Sequence, residues 1–434
     1  MNSKPAGSAG SAGSAGTDRG AGAARDVTIE AAPILPGATI GIFGSGQLGR
    51  MLASAARSMG YQVAVYSDDH SGQATPAGQL ADSDVHAAYD HPVMLPLFAR
   101  GIDVATTEFE NVPAGALAAM EAAGVPARPG PAVVEVAQHR AREKRAFAAA
   151  GLATVRWSSQ PEAITYPALA KTATLGYDGK GRWLLDGPGD LAALLADLPA
   201  GVELVFEERV TLAAECSVLV ARNPAGELAV YPAIENHHRD GILDWSVAPA
   251  RLPLAVTEAA QAAARRLASH LDLVGLACLE CFVTGDGPPA EPGGRDGRDR
   301  PDGSEGRHGG LRVLANEMAP RPHNSGHLTI EAAETSQFHQ QLRAVCGLPL
   351  GGTDLHRPAA MANLLGDLWS GGEPDWAAAL SVPGVSLHLY GKAEARPGRK
   401  MGHLTAVADD PSDALERALA ARSRLVDPEE PQPA

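Results

Sequence analysis

The sequence predicts an α/β protein of two or three domains, and three observations carry that prediction. Its 434 residues are enough to bury more than one hydrophobic core. A strand, a Gly-rich turn, a helix and a second strand follow one another from Ala38 to Asp69. Strand-like and helix-like pieces go on alternating into roughly the last hundred residues.

Composition narrows the function. A hydrophobic content of 45% fits a globular chain, and a formal net charge of -15 argues against general binding to nucleic acid or anionic membrane, which need a basic surface. Any anionic substrate must be held by a local basic cluster. No apolar run reaches the eighteen or so residues that span a bilayer. Four cysteines are too few for a disulfide framework, so a reducing, cytoplasmic location is expected.

Residues 1 to about 36 repeat Gly, Ser and Ala, bury almost nothing and are expected to be disordered; they lack the apolar core of a secretory signal. Order begins with the apolar run Ala38 to Phe43. The turn Gly44-Ser45-Gly46-Gln47-Leu48-Gly49, an Ala-rich helix to about Met59 and a strand from Gln62 to Tyr66 follow, with Asp68 and Asp69 at the strand end. Gly-x-Gly-x-x-Gly with an acid about twenty residues on is a dinucleotide fingerprint, which suggests a nicotinamide-dependent dehydrogenase. The same turn serves any doubly wound domain that brings backbone amides to an anion.

Strand-like Ile102 to Thr106 leads into Glu108-Phe109-Glu110-Asn111-Val112-Pro113, and a domain edge is expected between Pro126 and Pro131. A helix from about Val133 to Ala150 carries Arg140, Arg142, Lys144 and Arg145, and a solvated face accounts for most of these charges. The short strand Ala168 to Lys171 then meets Thr172 to Arg182. There Gly176, Gly179 and Gly181 stand beside Lys180 and Arg182, which describes a mobile loop able to lay N–H groups over phosphates. A surface hairpin turn would read the same way, and the Gly-Lys-Ser/Thr ending of a Walker loop is absent.

Leu204 to Phe206 runs into Glu207-Glu208-Arg209-Val210, a further strand carries Glu215, and Glu235 to Ile242, with His238, is dense in groups that bind phosphate or water. After a helix from about Val256 to Leu271, the strand Leu276 to Val283 places Glu280 in apolar surroundings. Its Cys278 and Cys281 raise a zinc or redox hypothesis. Three-residue spacing on a strand sends them to opposite faces, which favours two core thiols.

The stretch Leu311 to His327 reads as a buried strand that delivers Asn316 and Glu317, then breaks at Pro320 into a loop with Arg321, His323, Asn324, Ser325 and His327. A solvated loop is one account of it. Two inward carboxylates on adjacent strands imply a cation between them, because an unpaired buried carboxylate is costly. A hairpin pairing Glu280 with Glu317 also pairs Val283 with Leu314, which leaves the Gly/Pro-rich, charged segment 285–310 as a disordered tip. Near the end, Lys392, Arg396, Arg399 and Lys400 flank a Pro-Gly turn before His403, a candidate phosphate site in an acidic chain.

In this order the segments resemble the ATP-grasp superfamily and, within it, the N5-carboxyaminoimidazole ribonucleotide synthetases, bicarbonate-fixing ligases of purine biosynthesis. The resemblance rests on Gly44 to Arg50, Glu108 to Pro113, Lys171 with Gly176 to Arg182, His238 to Leu243, Glu280 to Val283, Asn316 to His327 and Arg396 to His403. It implies α/β and α+β architecture in three domains: a Rossmann-like (pre-ATP-grasp) domain over 37–133, an ATP-grasp domain over 134–337 and a small C-terminal domain over 338–426, with a disordered tail over 427–434.

It also implies a cytoplasmic homodimer that uses ATP, bicarbonate and 5-aminoimidazole ribonucleotide, with Mg²⁺, or Mn²⁺ in its place, as cofactor. By resemblance, ATP is bound by Arg140, Lys171, the lid Gly176, Tyr177, Asp178, Gly179, Lys180, Gly181 and Arg182, the hinge Glu207, Glu208, Arg209 and Val210, and Glu215, His238, Asn316 and Glu317. Glu280 and Glu317 are the implied metal ligands. The ribonucleotide would meet Gln47, Leu48, Tyr177, Asp178, Arg321, His323, Asn324, Lys392, Arg399 and Lys400, with Lys171, Arg321 and His323 closest to the chemistry. His323 reads either as a proton acceptor or as a hydrogen-bonding group. His139 stands where the family usually has Asp. Other readings are a formate-dependent glycinamide ribonucleotide transformylase, the dehydrogenase, and a non-catalytic nucleotide-binding regulator.

Overall fold

The computed structural model describes residues 32–174, 181–199, 201–285, 307–308 and 310–426. The first sheet is parallel, in the order β3-β2-β1-β4, from β1 (Thr39–Phe43), β2 (Gln62–Ser67), β3 (Ser83–His86) and β4 (Val104–Thr107). Alternation along β1 and β2 buries both faces, as a parallel sheet requires. Ile40, Ile42, Val63 and Val65 face helix α1 (Gln47–Ser58), while Phe43, Ala64 and Tyr66 face α2 (Met94–Arg100) and α3 (Ala114–Ala122).

Order starts earlier than the sequence suggested. The Ile34 N–H donates to the Cys346 carbonyl at 2.8 Å and the Ile34 carbonyl accepts from Tyr61 Oη at 2.7 Å, so the expected tail overran the chain by several residues.

The single helix expected from Val133 to Ala150 is two, α4 (Pro131–Ala137) and α5 (Arg140–Ala149). The break lies at His139, whose Nδ1 accepts the Ala141 N–H at 3.2 Å and caps α5. The solvated-face reading holds for Arg142 and Arg145, which are exposed, and fails for Lys144, which is buried along with its neighbour Glu143.

A small antiparallel sheet, order β5-β8-β6-β7, joins β5 (Trp157–Ser158), β6 (Ala168–Thr172), β7 (Arg182–Leu185) and β8 (Leu204–Glu208), with α6 (Pro188–Asp197) against it. The large sheet has ten strands. Its order is β14 (Arg307–His308), β15 (Leu311–Ala319), β13 (Gly275–Gly285), β9 (Leu212–Arg222), β11 (Ile234–Arg239), β12 (Ile242–Ala248), β16 (Ala359–Leu365), β18 (Lys400–Val407) and β17 (Val385–Leu389), with β10 (Leu228–Val230) beside β9. Helix α7 (Leu254–His270) fills one face through Val256, Ala260, Ala264 and Leu267.

The expected C-terminal domain is therefore not a separate sheet. β16 pairs directly with β12 of the central domain, Val247 opposite Ala360. After the short α8 (Thr329–Ala332), α9 (Gln337–Val345) packs Phe338, Leu342 and Val345 into the first domain's core. Helices α10 (Trp376–Leu380) and α11 (Pro411–Ser423) complete the C-terminal part. The expected lid residues Gly176 to Lys180, most of the 285–310 segment and the tail from Asp427 lie outside the described residues.

Candidate active site

Glu280 and Glu317 lie directly opposite each other on β13 and β15. Cross-strand partners share a face and sit roughly 4.5–5.5 Å apart at Cα, so both carboxylates line the cleft between the large sheet, the small sheet and α5. The expected pairing of Val283 with Leu314 is one residue out: Val283 faces Val313, because the ladder bulges after Glu280 and leaves Asn316 unpaired. Beside the bulge lies a third strand-like contact, the Ala315 N–H donating to the Ala153 carbonyl at 2.8 Å. Cys278 and Cys281 are buried on opposite faces, in different core clusters.

Each carboxylate meets a cation from the chain. His323 Nε2 is 2.9 Å from Glu280 Oε1, and its Nδ1 is 2.9 Å from Ser325 Oγ. Burial opposes charge on both partners. Even so, the His323 contact holds the Glu280 carboxyl at about 2, helped by His238 and Lys400, while Cys278 and Glu280 raise the imidazole to about 10. Arg140 Nη1 is 3.3 Å from Glu317 Oε2. Glu143 accepts the Met318 N–H at 2.6 Å, and burial followed by the Glu317 charge pushes its carboxyl up to about 8. It can thus stand beside Glu317 near neutrality without adding a charge.

On the small sheet Lys171 pairs with Glu207, which also lies 3.1 Å from Lys144 Nζ, a charge contact rather than an aligned hydrogen bond. Burial disfavours the Glu207 carboxylate, and the two lysines overcome it, to about 2. Of the expected hinge, Glu207 and Glu208 complete β8, and Arg209 and Val210 begin the crossover to β9. Next to it His238 Nδ1 is 2.9 Å from Glu215 Oε2.

At the other end of the cleft, Glu110 pairs with Arg321, whose Nε is 2.6 Å from Glu110 Oε2. Glu108 accepts the N–H groups of Gly46 at 2.7 Å and Gly49 at 3.0 Å. A chain carboxylate therefore fills the place where a dinucleotide's pyrophosphate would lie, which overturns the dehydrogenase reading. The N–H groups of Gln47 and Leu48, between those two, are left for a different anion. Asn324 is buried with neither side-chain polar atom bonded to a described residue, so a ligand or a water there would satisfy it. The Lys392 to Lys400 hairpin approaches the Gly-rich helix through the Gly391 carbonyl, which accepts from Gln79 Nε2 at 2.9 Å, while Gln79 Oε1 accepts from Arg50 at 2.8 Å. Lys392 Nζ donates to the Lys400 carbonyl at 2.6 Å, and Arg399 Nη1 to the Glu394 carbonyl at 2.9 Å.

Two opposed carboxylates, with Glu280 held ionised in spite of its burial, are the oxygen donors a hard divalent cation would use once His323 and Arg140 release them. Among the described residues, however, no cluster of three or more His, Cys, Asp or Glu is gathered to hold a metal.

Models of known families match the chain in three blocks: a ribonucleotide synthetase preATP-grasp domain over 37–138, an ATP-grasp domain over 143–338 and a phosphoribosylaminoimidazole carboxylase C-terminal domain over 359–417. The N5-carboxyaminoimidazole ribonucleotide synthase of Bacillus subtilis is 38% identical over 382 residues, covering 86% of this chain and 92% of that one. The chain belongs to the N5-carboxyaminoimidazole ribonucleotide synthase family.

The Brucella melitensis synthase is 39% identical over 389 residues, spanning 87% of this chain and 99% of the relative. Among solved structures, an ADP complex of an N5-carboxyaminoimidazole ribonucleotide synthetase aligns with a TM-score of 0.78 at 38% identity, over 90% of this chain and 97% of that one. The Aspergillus clavatus synthase with ADP and 5-aminoimidazole ribonucleotide aligns with a TM-score of 0.74 at 28% identity, over 90% and 98%. The synthase is an ATP-grasp enzyme that uses ATP to convert 5-aminoimidazole ribonucleotide to its N5-carboxy form in purine biosynthesis. Among the described residues, no helix is long and apolar enough to cross a membrane.

Sequence reasoning gave no role to Glu108, Glu143 or Lys144. A signal for Lys144 was present: Arg140, Lys144 and Phe147 share one helical stripe, and a stripe ending in Phe points inward.

Proposed function

We propose that the chain carboxylates 5-aminoimidazole ribonucleotide in two steps. Bicarbonate attacks the γ-phosphorus of ATP, giving carboxyphosphate and ADP; the exocyclic amine of the ribonucleotide then takes the carboxyl carbon, releasing phosphate and a proton. The observation that carries this reading is the opposition of Glu280 and Glu317 across one strand pair, in a cleft walled by both sheets.

Mg²⁺ held by Glu280 and Glu317 would supply charge neutralisation at the phosphate oxygens. Arg140 and Lys171 bring fixed positive charge to the phosphates, and positioning by such charges is most of what phosphoryl transfer asks of a protein. The crossover at Arg209 and Val210, between the two sheets, suits the adenine, with Glu215 at the ribose and His238 toward the phosphates. Gln47, Leu48, Arg321, Asn324, Lys392, Arg399 and Lys400 would serve the ribonucleotide side, and the lid from Gly176 to Arg182 would exclude water from carboxyphosphate. His323, a cation while Glu280 and Ser325 hold it, would orient the amine, and it can take the amine's proton only after it leaves Glu280 and gives up its own proton to solvent.

Four free, buried cysteines suit the reducing cytoplasm. Homodimerisation rests on the family resemblance, and light scattering tests it. The deciding experiment measures ADP release with bicarbonate and 5-aminoimidazole ribonucleotide together and singly. Full turnover without bicarbonate would defeat the reading, and coupling to formate would point to the transformylase.

A further inference from the structure

Arg140 and Lys144 stand one helical turn apart on α5, and each reaches both sheets that grip the nucleotide. Arg140 donates to the Thr172 carbonyl of β6 at 3.2 Å and meets Glu317 of β15. Lys144 donates to the Asn316 carbonyl of β15 at 3.0 Å and lies beside Glu207 of β8. Lys144 is 1% exposed and Glu207 2%, so neither charge is relieved by water. The Asn316 carbonyl that Lys144 takes is the one at the bulge, where Asn316 has no cross-strand partner on β13.

Glu207 is shared, with one oxygen toward Lys144 and the other toward Lys171. If Lys171 turns to a phosphate, Glu207 loses that partner. A buried carboxylate stripped of all its counterions is strongly unfavourable, and Lys144 is the counterion that stays. Lys144 and Arg140 also repel Lys171, which weakens its hold on Glu207.

We infer that Lys144 is a positioning residue: by keeping Glu207 compensated, it frees Lys171 to leave Glu207 for the nucleotide phosphates. This rests on the reading of Lys171 as a phosphate ligand. Without Lys144, Glu207 has Lys171 alone and holds it back. Without both Lys144 and Glu207, nothing holds Lys171 and the cleft keeps its cation.

The test is calorimetric titration of ATP and, separately, 5-aminoimidazole ribonucleotide into the full-length protein. Lys144→Met should weaken ATP binding about tenfold and leave ribonucleotide binding unchanged. The double variant Lys144→Met/Glu207→Gln should recover ATP affinity to within about threefold of the parent. Wild-type ATP affinity in Lys144→Met overturns the inference. So does equal weakening toward both ligands with no recovery in the double variant, which marks a structural role. Lys171→Met with undiminished ATP affinity would instead remove the phosphate role of Lys171 on which the inference stands.

Discussion

His323 and Glu280 form a charge pair across the floor of the cleft, Nε2 to Oε1 at 2.9 Å, with both side chains mostly shielded from water. Glu280, held at about 2 against an ordinary 4.5, contributes stability above pH 4.5 that is lost as pH falls through about 2. His323, raised to about 10 from 6.5, contributes stability below pH 6.5 that is lost as pH rises through about 10. The metal-free protein should therefore exceed Glu280→Gln in stability by about 2 kcal/mol between pH 4.5 and 6.5, with the gap closing on both sides. Thermal melts across pH check this. A gap independent of pH would show that the pair is not ionic.

Glu317→Gln keeps the shape and removes a charge from a side chain that is 44% exposed. Its cost to folding should stay below about 1 kcal/mol. Bicarbonate-dependent ADP release should fall by about 100-fold or more. Circular dichroism and the coupled assay read the two quantities separately, and near-normal turnover would remove Glu317 from the metal site.

Arg399 lies on the hairpin that approaches the Gly-rich helix. Loss of one charge-assisted contact, about 1.5–3 kcal/mol, should raise the KM for ribonucleotide roughly 10- to 100-fold in Arg399→Ala and leave that for ATP alone. Steady-state kinetics with each substrate varied in turn decide this. Equal rises in both would place Arg399 elsewhere.

Gly44 has φ +99°, and a Cβ there would lie 2.5 Å from Glu108 Oε1. Gly44→Ala should cost about 2 kcal/mol or more by strain and by displacing that carboxylate from the turn. Because Glu108 already occupies the amides, NADH fluorescence should show no saturable binding to the parent protein. Chemical denaturation and a fluorescence titration test the two statements.

Much of the site was legible because strand pairing obeys simple arithmetic. Glu280 and Glu317 stand 5 and 7 residues from the ends of the turn-rich segment 285–310, so a hairpin that joins their strands brings them to a similar level, and they pair. The bulge at Asn316 was not legible, and neither was the contact beside it, in which Ala153, far away in sequence, takes the Ala315 N–H. The Gly-rich turn was recognised, but its occupant was not. Glu108 lies 62 residues from Gly46, and local pattern does not say which anion a set of amides will take. Lys144 was misplaced because charge on a helix was read as exposure, although the same stripe ends in Phe147, which is wholly buried.

The packing of α9 has a consequence for synthesis. Phe338, Leu342 and Val345 wall one side of a core whose other members, Ile40, Leu52 and Val63, leave the ribosome some three hundred residues sooner. The domain translated first is thus sealed only after most of the chain has been made. Until residue 345 emerges, its greasy flank stays open to chaperones or to a neighbouring nascent chain.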